Sequence, residues 1–245
     1  MKNLLYILIF ILLTGCTNNY SWGWYILNPN LENGYSNIQF LLSGLSITVS
    51  ISILSIIFSL ILGFLISLLG FSKNKLLKFS NRLFIEIFRA IPLLVLLLWV
   101  YYGLPILFGI SFGPFIAGII SLSLSDSAFE AEIFRAGLQS ISKGQRDAAK
   151  SLGLNKFQEM KLVTLPQALR IILPAIGNQF VYVLKMSSLV SILGLADLTR
   201  KANELVVTVY RPLEIYTFLV LEYLFLILII SYFVRKIEKK LKINS

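Results

Sequence analysis

Long, predominantly apolar stretches recur along this chain, and that property decides what it can fold into. They run roughly from Ser43 to Phe71, Phe84 to Phe108, Gly113 to Phe134, Ile171 to Ala196 and Leu213 to Val234. Each reaches the roughly 20 residues a helix needs to cross a hydrocarbon core about 30 Å thick. With 57% hydrophobic and 14% charged residues, the chain has far more apolar side chain than a soluble domain of its size needs. The expected fold is an all-α integral membrane protein with about five core transmembrane helices.

The net charge of +10 does not indicate nucleic acid, because the cations lie between and beside the spans. Lys73, Lys75, Lys78 and Arg82 follow the first span. Arg135, Lys143, Arg146, Lys150, Lys156, Lys161 and Arg170 lie between the third and fourth, and Arg235, Lys236, Lys239, Lys240 and Lys242 follow the fifth. Residues 17–42 carry no Lys or Arg, and only Arg200, Lys201 and Arg211 separate the last two spans. The positive-inside rule then puts the 135–170 connection and the C-terminus in the cytoplasm and the start of the first core span outside. The expected organisation is a signal-like segment (1–16), an extracytoplasmic segment (17–42), a membrane domain (43–235) and a basic cytoplasmic tail (236–245). The chain has no histidine and a single cysteine, Cys16. No internal disulfide or CxxC motif is possible, and neither a metal site nor a catalytic residue is expected.

The N-terminus has two readings. Lys2 precedes the apolar run Leu4–Leu13, which is short for a span and suits a signal core. Leu13-Thr14-Gly15-Cys16 is similar to a bacterial lipoprotein cleavage box, which would make Cys16 a lipidation site. Alternatively the segment is an uncleaved anchor extended through Tyr20 to Ile26, with Trp22, Trp24 and Tyr25 at the interface. The core topology is the same either way.

The polar island between the third and fourth spans carries a specific pattern, Asp147-Ala148-Ala149, then Gly153, then Leu165-Pro166. Ser142-x-x-Gln145 and Asn155-x-x-Gln158 both fit capping-box starts, so two short helices are expected. Gly153 stands where a left-handed residue would end the first, and Pro166 marks a further boundary. The pattern resembles the E-A-A-x3-G-x9-I-x-L-P loop of permease subunits of bacterial ABC importers, with Asp147 for Glu and Val163 for Ile. In that family the loop docks a separate ATPase.

The resemblance extends over roughly residues 36–242 and points to the branch for polar amino acids (histidine, glutamine, arginine or glutamate). Phe84–Val95, Ala128–Gln145, Leu165–Arg170, Pro174, Gly177–Phe180, Lys185–Val190 and Arg211-Pro212 carry it. It implies the MetI-like permease fold in a bacterial inner membrane. It also implies two ATPase partners holding ATP and Mg, a second permease copy or sibling, and an extracytoplasmic amino-acid-binding protein. The chain itself would need no cofactor and would not be an enzyme. The chain departs from the family pattern at three places. Met186 stands for Asp, apolar Val95–Leu97 replace a frequent glutamine, and Glu130 occupies a variable position.

Charged and polar groups within spans should face protein or a water-filled path. Lys185 could offset a substrate carboxylate, or pair within the chain. Glu130 could favour a cationic solute. Asn178, Gln179, Ser187 and Ser188 could bond a polar solute or bridge helices. Glu132 is expected to support structure near the cytoplasmic mouth, and Glu86 and Arg89, three apart, could pair on one helix face.

Gly144–Ser151 mimics a phosphate loop, but Ala149 replaces its second glycine and no strand precedes it. Three other classes compete with the permease. A membrane-embedded enzyme lacks a nucleophile or metal cluster, and a lipid-anchored structural protein would need a long soluble domain after Cys16. A secondary transporter usually contains both repeats of its pathway, and no internal repeat is evident.

Overall fold

The computed structural model describes residues 20–241, so the Leu4–Leu13 run and Cys16 lie outside the described residues. Those described form helices and their connections, with no strand. Helix α1 (Glu32–Leu42) runs into α2 (Leu45–Gly70) through Ser43 and Gly44, so the first apolar stretch extends outward as one helical run, Glu32–Gly70. Helix α3 (Lys75–Ala90) follows, with Asn74 capping its first turn by accepting from the Leu76 amide.

The expected second span, Phe84 to Phe108, is not one helix. It breaks at Ile91-Pro92, and its halves, Lys75–Ala90 and Leu93–Phe108, are bent by 99°. Proline cannot donate a backbone hydrogen bond and pushes the residue before it into extended backbone; Ile91 has φ −78° and ψ 122°. Beyond the break, α4 (Leu93–Leu98) passes through a π turn (Trp99–Gly103) into α5 (Leu104–Phe108).

Helix α6 (Pro114–Gln139) packs along α2 and is the centre of the molecule. Among the described residues, three other runs are long and apolar enough to cross a membrane, Glu32–Gly70, Lys156–Leu193 and Pro212–Lys240. Helix α6 is too polar to join them by composition, because its polar residues point inward. Ser121, Ser123, Ser125, Asp126, Ser127 and Glu130 are all buried. Ser123, Asp126, Ser127 and Glu130 meet the small residues Ser55, Ser59 and Gly63 of α2, which let the two backbones approach closely. A Cβ on Gly63 would lie 2.6 Å from the Glu130 Cβ and 2.9 Å from the Ser127 carbonyl oxygen. Several of the buried hydroxyls are satisfied locally. Ser52, Ser121 and Ser127 donate to carbonyls three or four residues earlier at 2.7–2.8 Å, and Ser123 reaches the Ser55 carbonyl of α2 at 3.1 Å.

After α6 come two short helices, α7 (Lys143–Ser151) and α8 (Lys156–Glu159). Pro166 does not interrupt the chain as expected. A π turn (Met160–Thr164) carries α8 directly into α9 (Leu165–Met186). Both π turns end two residues before a proline, Pro105 or Pro166, and the lost amide hydrogen bond is absorbed by widening one turn. The fourth span thus starts earlier than Ile171 and closes in a 3₁₀ turn (Ser187–Leu193). Helix α10 (Leu198–Val209) is capped by Asp197, whose carboxylate accepts from the Arg200 amide at 2.9 Å. Burial pushes the Asp197 carboxyl up to about 6, against amide hydrogen bonds that pull it down. Helix α11 (Pro212–Leu241) is longer than the expected fifth span.

One apolar core joins Ile51, Leu96, Leu97, Ala117, Leu122 and Val190. A second gathers Ile26, Leu41, Ala202, Leu205 and Ile215 at the start of α11. A strap of residues 20–27 covers that end. Tyr20 Oη donates to Glu214, the Gly23 amide donates to Glu214 Oε1 at 2.5 Å, and Arg211 donates to the Ser21 carbonyl at 2.6 Å.

Candidate functional site

The 142–166 island folds as two capped helices. Ser142 accepts from the Gln145 amide at 3.4 Å without the reciprocal bond. Asn155 and Gln158 form the full reciprocal box, both bonds at 2.9 Å. Gly153 has φ +75°. The Gly153 amide donates to the Lys150 carbonyl at 2.9 Å and the Leu154 amide to the Ala149 carbonyl at 3.2 Å, the two bonds of a glycine-terminated helix end. Arg146 reaches back to the Leu138 carbonyl at 2.7 Å and fixes α7 to the end of α6.

The two alanines of the pattern differ. Ala148 is exposed, whereas Ala149 is 2% exposed and packs inside the chain. Ala149 therefore helps hold the loop together and does not present a free surface. Asp147, Leu165 and Pro166 are exposed. Large apolar side chains stand out from the same polar loop, with Leu152 80%, Phe157 73% and Leu162 61% exposed. Exposed apolar side chains on an otherwise hydrophilic projection are unusual, since large exposed apolar area is what interaction surfaces are built from.

The residues expected along a solute path fall into two groups. Glu130 is fully buried against α2 and does not line an open path; neither carboxylate oxygen has a hydrogen-bond partner among the described residues. Gln179 is committed to Asp126, which also accepts from Ser59. Ser187 is fully buried and donates to the Leu184 carbonyl, and Ser188 to the Lys185 carbonyl, both at 2.8 Å. Their hydroxyl donors are therefore used within their own helix. Asn178 and Lys185 remain exposed on α9. Lys185 forms no ion pair with the described residues.

Asp126 is the residue sequence reasoning missed. It ties α2, α6 and α9 together. The available signal was its spacing, since Asp126 and Glu130 share one helix face four residues apart. Arg89 pairs not with Glu86 but across to Glu132 of α6, and Arg135 supports Glu132 at 3.5 Å. Arg89 also lies 5.1 Å from the Phe129 ring centroid. Glu132 thus holds α3 to α6, as expected of a structural residue. Nothing in the structure explains Glu222, whose carboxylate has no hydrogen-bond partner among the described residues.

Membrane-length helices closed around a polar seam, with a helical projection between two spans, define a helical permease domain. The chain belongs to the family of binding-protein-dependent transport system inner membrane components, which matches residues 59–243. It is 39% identical over 219 residues to the arginine transport system permease protein ArtQ of Bacillus subtilis, covering 89% of this chain and 100% of that one. It is 35% identical over 210 residues to a putative glutamine transport system permease protein GlnP of Rickettsia felis, covering 86% and 96%. Among solved structures it is similar to an amino acid ABC transporter crystallised with histidines, at a TM-score of 0.82 and 35% identity over 90% of this chain and 100% of that one. The inward-facing MetNI methionine ABC transporter, at 21% identity and a TM-score of 0.71 over 84% and 98%, shares the fold.

Proposed function

We propose that this chain forms half of the membrane pathway of an ATP-driven importer of polar amino acids, coupled to a separate ATPase through residues 142–166. The observation that carries the coupling is the exposed apolar set Leu152, Phe157 and Leu162 on a rigidly capped polar loop. The cation-rich end of the molecule, with this loop and the C-terminus, then lies in the cytoplasm. ATP and Mg act on the partner ATPases, and an extracytoplasmic binding protein delivers the solute to the opposite end. A second permease, identical or sibling, completes the path.

Arg146 and the π turn make α7 and α8 a lever on α6 and α9, so force on the loop reaches the Asp126–Gln179 contact without a flexible joint. The relatives' named solutes, glutamine and arginine, support a solute with an α-carboxylate. Exposed Lys185 is the group suited to meet it, with Asn178 as a hydrogen-bonding neighbour on α9. Asp147, Ala148, Gly153, Leu165 and Pro166 shape the docking surface, and Ala149 supports it from inside.

The test is co-purification from native membrane. Wild type should retain an ATPase, and Ala148→Glu and Phe157→Asp should each lose it while keeping wild-type thermal stability in detergent. Retention by both variants would refute this docking surface. Uptake of labelled glutamine and arginine then tests the solute class; transport of neither rejects it.

A further inference from the structure

Helix α3 carries three distinct faces. Asn81 and Ile85 are buried, and Asn81 donates to the Ile66 carbonyl of α2 at 2.6 Å, holding α3 against the end of that span. Next around the helix, Lys78, Arg82, Glu86 and Arg89 form an exposed stripe. Beyond that stripe lies an exposed apolar face, with Leu76 at 68%, Phe79 at 61% and Ile87 at 43%. The order of apolar face, basic stripe and protein contact suits a helix lying at a membrane surface, its apolar side in acyl chains and its cations at the headgroups. The 99° bend at Pro92 is what frees α3 from the direction of α4.

The basic stripe opens onto a cleft of about 730 Å³ between α3, the end of α2 and the last turns of α6. Lys78, Arg82, Arg89 and Arg135 line it, with the carboxylates Glu86 and Glu132. Glu132 is already neutralised by Arg89 and Arg135. Lys78 and Arg82 form no ion pair with the described residues. The cleft is of ligand size, carries excess positive charge and adjoins an apolar face at the end of a span. We infer that it binds the phosphate headgroup of an anionic phospholipid from the leaflet on the docking-loop side. The acyl chains would lie along Leu76 and Phe79. A soluble anion would use the cations but leave the apolar face uncovered, and the position of that face beside the cleft selects the lipid.

The cleft and the docking loop share α6, so a lipid held there would brace the helix that carries the lever. The experiment is native mass spectrometry of the full chain in mild detergent, titrated with phosphatidylglycerol, phosphatidylcholine or inorganic phosphate. Phosphatidylglycerol should be retained over phosphatidylcholine, and phosphate alone should not displace it at equal concentration. A cation near anionic lipid is worth about fivefold in binding, so Lys78→Gln with Arg82→Gln should weaken phosphatidylglycerol binding roughly 25-fold. Lys236→Gln with Lys239→Gln removes the same charge from the end of α11 and should stay within about twofold of wild type. Equal binding of both lipids, displacement by phosphate, or equal loss in both double variants would each overturn the site. Thermal unfolding of every variant verifies that it is folded, and Arg82→Lys should keep most of the binding.

Discussion

Helices α6 and α11 are both long enough to span a bilayer, yet they are built on opposite plans. Helix α6 buries serines, an aspartate and a glutamate and packs along α2 with almost no gap. Helix α11 has a mean hydropathy of 2.3 over its most apolar stretch, and none of that stretch is buried within the chain. Water makes the difference unintuitive, because in a soluble protein the apolar helix would be the core. In lipid there is no hydrophobic drive between helices, so close packing of small residues and shared hydrogen bonds decide which helix sits inside. Large apolar side chains are left for lipid or for a partner subunit.

That contrast is open to attack by substitution. The largest effect is expected from Gly63→Leu, which drives a side chain into the Glu130 Cβ and the Ser127 carbonyl. Overpacking of this kind costs about 1–3 kcal/mol or more, and thermal unfolding in detergent should show a clear loss. An unchanged transition would mean that α2 and α6 are not in close contact. Asp126→Leu should cost about 1–3 kcal/mol by stranding Ser59 and Gln179, while Asp126→Asn should recover part of it. Phe225→Ala on α11, 68% exposed, should leave the isolated chain within about 0.5 kcal/mol of wild type. If it instead splits the assembled complex, that face meets protein and not lipid. The effect at Asp197 should fall between those at Asp126 and Phe225. Asp197→Ala should lose about 1 kcal/mol of capping, whereas Asp197→Asn keeps an equivalent acceptor and should be nearly silent in the same assay.

The extents of α2 and α6 were legible because their runs are uninterrupted. The break inside 84–108 was not, since an apolar run on both sides of Ile91-Pro92 conceals a change of direction that only φ and ψ reveal. The local structure of residues 142–166 was the most legible region. Gly153 and the Asn155–Gln158 box act within a few residues, so local rules suffice. Pro166 misled in its consequence, because a π turn accommodated it without ending the helix. The solute-path residues were the least legible. A polar residue on a span faces either a sealed seam or an open surface depending on which neighbour packs there. Glu130 and Asn178 look alike in sequence and end in opposite environments. Arg89 shows the same limit, because sharing a face made Glu86 an available partner but a helix far along the chain supplied a better one.

The strap across the head of α11 bears on the order in which the protein is made. Tyr20 and Glu214 are 194 residues apart, and their contact holds the 20–27 segment to α11. Nothing can occupy the Tyr20 hydroxyl in this way until the ribosome has delivered Glu214. The contact therefore serves as a closing latch, available only once Glu214 exists, and a product truncated before it would leave Tyr20 and Gly23 without a place to fasten.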